Sequence, residues 1–498
     1  MNFNTFKITV FPEGKTVIAY KGERLLDVLA REHFFVTALC GGNGTCGKCK
    51  ARLMQGALDG VVPDENGYVL SCHAFVKEDV SVYLPNDNAG GLTEFEENDL
   101  GGEKSGYGVA LDIGTTTLAA CLIDLESGKT LKKVSALNPQ SVYGADVLSR
   151  INACGEGKLG LLQELILEKT RELIGALSDE SVISELCVSA NTTMLHLFLG
   201  VDPKTIGVYP FTPVFTDERI VSGASLGLPV ETVRLLPSAS GYIGSDVTSG
   251  VAVCGMDKTD AIALFVDIGT NGEIVLTHKG RLYAASTAAG PAFEGACIEC
   301  GIGGVSGAIN SVSVRDGEIS FTTIDGETPR GICGSGLIDL IAVLRAEELI
   351  DESGAWDDLS DSPLISKLSD DRFYLTEDIY LSQADIRQFQ LAKSAISAGI
   401  ETLFVENGID MSEAQALYVA GGIGYYMNMD NALALGLLPM PLKGRIYAKG
   451  NTSLAGAKRC LLSERESKQV SAIASSMEIT ELSFSKTFTD KYVENMMI

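Results

Sequence analysis

The sequence predicts an α/β protein with a small α+β domain at its N-terminus and, behind it, a larger domain built from two related halves. Three observations predict this. Four cysteines spaced through a glycine-rich stretch mark the first unit, a strand–Asp-Ile-Gly-Thr–strand segment occurs twice further on, and apolar helical stripes alternate with short apolar strands in the rest.

At 498 residues the chain exceeds one ordinary core, so several separately folding units are expected. Its 65 acidic residues outnumber 39 basic ones, and the balance of −26 repels phosphate backbones and anionic lipid surfaces. Nucleic acid and membrane are therefore not expected as partners. No apolar run approaches the roughly 18 to 20 residues of a bilayer span, and MNFNTFKITVFPEG lacks a basic-then-apolar leader, so a cytoplasmic protein is expected. With four histidines and no helical His-x-x-x-His pair, a histidine-built zinc site is disfavoured.

Residues 1–85 read as the small domain. FKITVF places Phe6, Ile8 and Val10 on one strand face, Pro12 to Lys15 turn, and TVIAY returns as the hairpin partner. Leu25, Val28 and Leu29 then form a helical stripe, and KCKARL and VSVYLP read as closing strands. Residues 86–105, rich in Gly, Asn and acids, have the composition of a flexible, solvated linker.

GVALDIGTTTLAACLID (108–124) and ALFVDIGTNGEIVL (263–276) place the two copies of the repeat in a first half, 106–258, and a second half, 259–465. Helical patterns at 161–177 and 382–408 and the strand before Gly421 fit sheets covered by helices. Residues 466–498 turn polar and Ser-rich; Phe488, Tyr492 and Met496 recur every four residues, which predicts a short docking helix in a C-terminal tail.

The cysteines are the first chemical signal. Cys40, Cys46, Cys49 and Cys72 give C-x5-C-x2-C-x22-C. Two bridged irons need four thiolates, and a tight loop must wrap them while aiming N–H groups at sulfide; Gly41, Gly42, Gly44 and Gly47 permit that wrap. A structural zinc on four cysteines is the alternative, but zinc ribbons pair two short knuckles, whereas here three ligands crowd one loop. Cys297, Cys300 and Cys333 read as buried small hydrophobes, with a second cluster shared between subunits as the functional alternative.

The repeats are the second signal. Asp112-Ile113-Gly114-Thr115-Thr116-Thr117 leaves a strand and turns sharply into another, so backbone N–H groups and hydroxyls can surround phosphate oxygens while the aspartate binds Mg2+ through water. Asp267-Ile268-Gly269-Thr270-Asn271-Gly272 offers the same chemistry from the opposite side. Gly421 and Gly422, after a strand, and Gly334-Ser335-Gly336 would let backbone approach an adenosine closely. No G-x-x-x-x-G-K-[ST] occurs, which excludes a P-loop.

These motifs carry a resemblance. The cysteine spacing resembles adrenodoxin-like and related bacterial ferredoxins, which implies a β-grasp fold holding a [2Fe–2S] cluster and one-electron transfer. The order phosphate-1, phosphate-2, adenosine is similar to the actin/Hsp70/sugar-kinase (ASKHA) superfamily, which implies two RNase-H-like halves closing on ATP–Mg2+. With TAAGPAFEGACIECG, GICGSGLIDL, QLAKSAISAGI and YVAGGIG added, the chain resembles, nearly end to end, the reductive activators of corrinoid proteins. The resemblance implies an ATPase that reduces cob(II)alamin in a partner corrinoid protein to cob(I)alamin for methyl transfer, re-reduced by an upstream electron donor; a homodimer is among the expected assemblies. Asp112 and Asp267 would organise Mg2+, Thr115, Thr116, Thr270 and Asn271 would hold phosphate, and Asp267 or Glu273 would orient water, unless Glu273 is an exposed strand residue. Cys297 and Cys300 depart from the family pattern. The rival readings are an electron donor to a 2-hydroxyacyl-CoA dehydratase, a small-molecule kinase, and a redox- and nucleotide-sensing module.

Overall fold

The computed structural model describes residues 5–32, 34, 36, 38, 42, 44, 47–84, 94–95, 101–178, 182–315 and 317–498. Cys40, Cys46 and most of the expected linker lie outside them.

Strand Thr5–Phe11 pairs antiparallel with Lys15–Tyr20 and parallel with Val80–Tyr83, and the five-stranded sheet continues through Lys50–Gln55 to Tyr68–Leu70. Helix Leu25–Arg31 buries Leu25, Leu26, Val28 and Leu29 against Ile8, Val10, Val17 and Ala19 of that sheet, as its stripe predicts. A sheet grasping one helix, with first and last strands side by side, is the β-grasp arrangement.

The two halves behind it have matching sheets. In the first, Tyr107–Ile113, Thr117–Asp124 and Thr130–Leu137 form an antiparallel meander, and Ile183–Ala190 then Val230–Leu235 add in parallel. In the second, Ala263–Ile268, Gly272–His278 and Arg281–Thr287 form the meander, and Ala416–Ala420 then Ile446–Gly450 add in parallel. Both Asp-Ile-Gly-Thr segments therefore turn between the first two strands of equivalent sheets. Those strands are apolar on both faces because helices cover both.

The halves meet where helix Ser245–Cys254 crosses helix Thr452–Leu462. A Cβ on Gly456 would lie 2.3 Å from the Ser249 side chain, and one on Gly250 would lie 2.8 Å from Thr452 Oγ1, so only glycine permits this approach. Because the helices touch along their lengths, both N-termini are brought to one cleft.

Two expectations change. Within the linker, Phe95 is buried under Lys133 and bridges the backbone of Gly450, while Lys104 pairs with Glu185 and Glu464. Acidic composition hid these anchors, since one aromatic and one lysine leave no periodicity. The expected polar tail is also built in: helix Glu464–Ser476 buries Val470, Ile473 and Ala474, and Met477–Ile479 joins the edge of the second sheet. Helix Lys486–Glu494 does dock, against Gln383–Glu406, where Lys393 and Ser394 donate to the Asn495 carbonyl.

Arg234 ties the chain end to the first half. Only 8% exposed, it donates to Glu185, Glu218 and Glu464, and Lys104 also reaches Glu185. Arg234→Met is expected to cost about 3 kcal/mol, the low end for breaking a buried pair because Lys104 stays on Glu185. Urea denaturation of the chain checks this.

Candidate functional site

Each Asp-Ile-Gly-Thr turn is fixed by its own backbone: the Gly114 N–H donates to the Thr117 carbonyl at 2.9 Å and the Gly269 N–H to the Asn271 carbonyl at 3.0 Å. A carboxylate joins the turns across the cleft. Thr116 Oγ1 donates to Glu294 Oε2 at 2.7 Å, and Thr270 Oγ1 donates to the same oxygen at 2.8 Å. Glu294, from the AFEGA segment, thus holds the two phosphate-type turns together. Arg150, fully buried, backs this arrangement by donating to the carbonyls of Thr115 and Gly144. Burial pushes its guanidinium down to about 10, opposed by the charges of Glu294 and Asp146. Asn191 adds a bond from Nδ2 to Thr115 Oγ1 at 3.3 Å.

The aspartates end their strands at the same level. Asp112 accepts from Ser453 Oγ at 2.7 Å and Asn451 Nδ2 at 2.8 Å, both at the start of helix Thr452–Leu462. Asn451 is oriented because its Oδ1 caps that helix, accepting from the Leu454 N–H. Asp246, in the first turn of the crossing helix, and Glu273, opposite Asp267 in the hairpin, complete an acidic wall.

Burial dominates the electrostatics of this wall. It raises Asp112 above the usual carboxylate range, against hydrogen bonds from Ser453 and Asn451. Burial and the neighbouring Asp267 charge push Asp246 up to about 7, and burial with the Asp112 charge does the same to Asp267. Glu273, half-buried and so not an exposed strand residue, is raised well above its ordinary value by burial and then by Asp246 and Asp267. Glu294 is raised by burial, with the Thr116 and Thr270 hydroxyls pulling the other way.

Several hard oxygen donors whose negative charge lacks a cation fit a Mg2+ that keeps part of its water shell. Among the described residues no group of three or more His, Cys, Asp or Glu side chains is placed to hold a metal ion directly. A pH signature follows. The folded values of Asp246 and Asp267 stand above the ordinary 3.8, so the stability tied to their protonation is full below that value and is lost as pH rises through about 7. In EDTA the melting temperature is expected to fall between about pH 6 and 8, and saturating Mg2+ with nucleotide is expected to flatten that fall; calorimetry at both pH values checks it.

Other sequence candidates lie near this wall but are used differently. Gly421, at φ +83, has no room for a Cβ, which would stand 2.6 Å from Asp267 Oδ1; the glycine serves the acidic wall before any adenosine. Gly422 follows it at the start of helix Gly421–Tyr426. Gly334 and Gly336 are small because a Cβ on either would meet the carbonyl of Phe293 or Ile309 at 2.1 Å, and Ser335 is 5% exposed with its hydroxyl donating to the Asn310 carbonyl. Close packing against these carbonyls thus requires glycine at both positions. Asp246, Glu294, Arg150, Asn451 and Ser453 were not among the expected site residues.

In the first domain Cys49 and Cys72 are buried, 1% and 4% exposed, and the Ser71 N–H donates to the Cys49 carbonyl at 2.8 Å. Cys40 and Cys46 lie outside the described residues. Gly42 and Gly44 take φ +81 and +78, and a Cβ on Gly44 would stand 2.1 Å from His73 Nε2. Gly44 thus lies tight against His73, the residue after Cys72. On the other domain Cys333 is buried as expected and Cys300 is half-buried, while Cys297 is exposed, contrary to the reading of a core thiol.

Known proteins match along the chain. The 2Fe-2S iron-sulfur cluster binding domain matches residues 8–77, the RACo middle region matches 107–259, and the C-terminal domain of RACo, the ASKHA domain, matches 261–498. The corrinoid activation enzyme RamQ of Eubacterium limosum is 36% identical over 421 residues, covering 79% of this chain and 71% of that protein. The Co(II) methylated amine-specific corrinoid protein reductase of Methanosarcina barkeri is 28% identical over 437 residues, 78% of this chain and 76% of that one. The solved structure of a reductive activator for corrinoid, iron-sulfur protein superposes with a TM-score of 0.74 at 29% identity, covering 99% of this chain and 98% of its own. Among the described residues no helix is long and apolar enough to cross a membrane.

Proposed function

Because this chain belongs to the reductive activators of corrinoid proteins, we propose that nucleotide bound between Asp112 and Asp267 drives delivery of one electron to a partner's cobalt. The protein is an enzyme that reduces a corrinoid protein in an ATP-dependent reaction, taking inactive cob(II)alamin to cob(I)alamin. The convergence of both Asp-Ile-Gly-Thr turns on Glu294 is the observation that carries the nucleotide reading.

Bound cluster supplies the single electron and bound Mg2+ offsets phosphate charge; the remaining chemistry belongs to the chain. Cys40, Cys46, Cys49 and Cys72 would hold the cluster. Asp112 and Asp267 would orient the cation's waters, and Thr115, Thr116, Thr270 and Asn271 with the Gly114 and Gly269 turns would hold phosphate oxygens. Glu273, beside Asp246 and Asp267, would orient the attacking water. An external donor must restore the electron, since one leaves the chain per cobalt reduced.

ATP is needed because the transfer runs uphill. A plant-type [2Fe–2S] centre lies near −400 mV, the Co(II)/Co(I) couple is expected lower, and each ~59 mV costs about 1.4 kcal/mol for one electron. Closure of the halves on nucleotide would change affinity for the corrinoid protein according to cobalt state and so offset that cost. Anaerobic mixing of the reduced chain with a cob(II)alamin-loaded corrinoid protein should show the cob(I) absorption band with ATP. Equal rate and extent without ATP would defeat the proposal.

A further inference from the structure

The first domain is bound to the ATPase through a lysine. Lys48, between Cys46 and Cys49, reaches across to the second half of the ATPase and donates from Nζ to the carbonyls of Ile298 at 2.8 Å, Glu299 at 3.0 Å and Gly301 at 2.8 Å. Three carbonyls turned onto one ammonium form a cation seat on the backbone, and bonds from a charged donor are stronger than neutral ones. A second contact is apolar: Val142 and Tyr143 of the ATPase pack on the core of the small domain. Between the domains lies a cleft of about 890 Å³ that Lys48 and His73 line from one side and Thr116, Glu294 and Cys300 from the other. The loop expected to carry the cluster and the turn expected to carry phosphate thus border one space.

The seat connects directly to the nucleotide site. Glu294 lies inside a tight turn opened by Pro291, whose carbonyl accepts from the Glu294 and Ala296 N–H groups at 3.1 Å, and the next residue, Gly295, sits at φ +76. A Cβ on Gly295 would stand 2.6 Å from the Ile302 backbone nitrogen, and one on Gly301 would stand 2.4 Å from the Gly295 carbonyl. Backbone thus packs on backbone between Glu294 and the Gly301 carbonyl that Lys48 grips. With only the Ile298 Cβ beside this contact, little is left to absorb a displacement.

We infer that Lys48 is a positioning residue that fastens the iron–sulfur domain onto the segment holding Glu294, and that nucleotide binding loosens it. The second clause rests on the proposed nucleotide site. Thr116 and Thr270 each have one hydroxyl proton, now given to Glu294; a phosphate that takes those protons strips Glu294 of two donors and sets negative charge against it. Glu294 must then shift, and Gly295 and Gly301 shift with it. The docked arrangement holds Lys48 against the ATPase, and release frees the small domain to meet a partner protein.

Hydrogen–deuterium exchange of the full, cluster-loaded chain tests this on peptides covering 48–52 and 298–304. Lys48→Met should quicken exchange in both by roughly tenfold or more, the scale of losing charge-assisted bonds, with visible absorption unchanged. Lys48→Arg, which keeps the charge, should restore part of the protection. Magnesium with a non-hydrolysable ATP analogue should move the wild-type peptides towards the Lys48→Met level and add little in that variant. Exchange in Lys48→Met equal to wild type would overturn the anchor. Calorimetry separates the two premises: analogue that binds without changing exchange refutes the coupling and leaves the nucleotide site standing. Analogue that does not bind refutes the nucleotide site, and the anchor is then decided by Lys48→Met against wild type.

Discussion

Asp267→Asn is expected to lower ATP turnover by a hundredfold or more, the scale seen when one preorganised polar group is removed from charge-stabilising machinery, while the visible absorption of the cluster stays as in wild type. The substitution keeps shape and removes charge. Asp267 lies at the end of strand Ala263–Ile268, opposite Glu273 and too close to Gly421 for any larger neighbour, so an isosteric amide fits where other side chains would not. Its charge is costly without a cation, for burial and Asp112 push it up to about 7. A neutral amide removes that cost and also lowers the repulsion that raises Asp246 and Glu273. The variant should therefore hydrolyse poorly yet melt higher than wild type at pH 8 in EDTA, and its melting temperature should depend less on pH. A purely structural role for Asp267 predicts the reverse, lost activity together with lost stability. Asp112→Asn should lose activity as well without the gain in stability, because the new NH2 would face the Asn451 or Ser453 donor that the carboxylate now accepts.

What could be read in advance follows from how each group is encoded. The duplicated halves were legible because Asp-Ile-Gly-Thr must sit between two strands for the turn to cradle an anion, and the same local requirement recurs in both copies. The helix over 383–406 was legible from its stripe, and its Ser382–Asp385 capping box fixes the start. Glu294, Asp246, Asn451 and Ser453 were not legible as site residues. Each reaches the cleft from a segment far along the chain: Ser453 meets Asp112 because two helices cross at Gly250 and Gly456, and no local pattern records that crossing. The Gly-Ser-Gly at 334–336 poses a different difficulty. A glycine needed for packing and a glycine needed for a ligand have the same local sequence, and only the neighbouring Phe293 and Ile309 carbonyls tell them apart. The Ser-rich end read as tail because its polar residues outnumber the buried Val470, Ile473 and Ala474 that dock it.

Cys72→Ser should separate the two activities of the chain. A serine oxygen is a poor match for an iron that takes thiolate sulfur, and the site offers no reserve: Cys49 and Cys72 are the buried thiols in the core of the small domain among the described residues, and the remaining ligands proposed are Cys40 and Cys46. The substitution loses little volume, and the turn around residue 72 is held by backbone bonds, the Ser71 N–H to the Cys49 carbonyl and the His73 N–H to the Leu70 carbonyl, which serine leaves intact. The small domain should keep its fold and lose most of its iron and visible absorption after anaerobic reconstitution, and cob(I) formation should fall to background. Basal ATP hydrolysis should survive, because Asp112, Asp267 and Glu294 belong to the other domain. Cys300→Ser is the matching control. Its thiol donates to the Asp378 carbonyl at 3.7 Å, a bond serine can replace, so iron content and cobalt reduction should both remain. Iron retained in Cys72→Ser but lost in Cys300→Ser would move the cluster to the 297–300 loop, and with it the electron path through this protein.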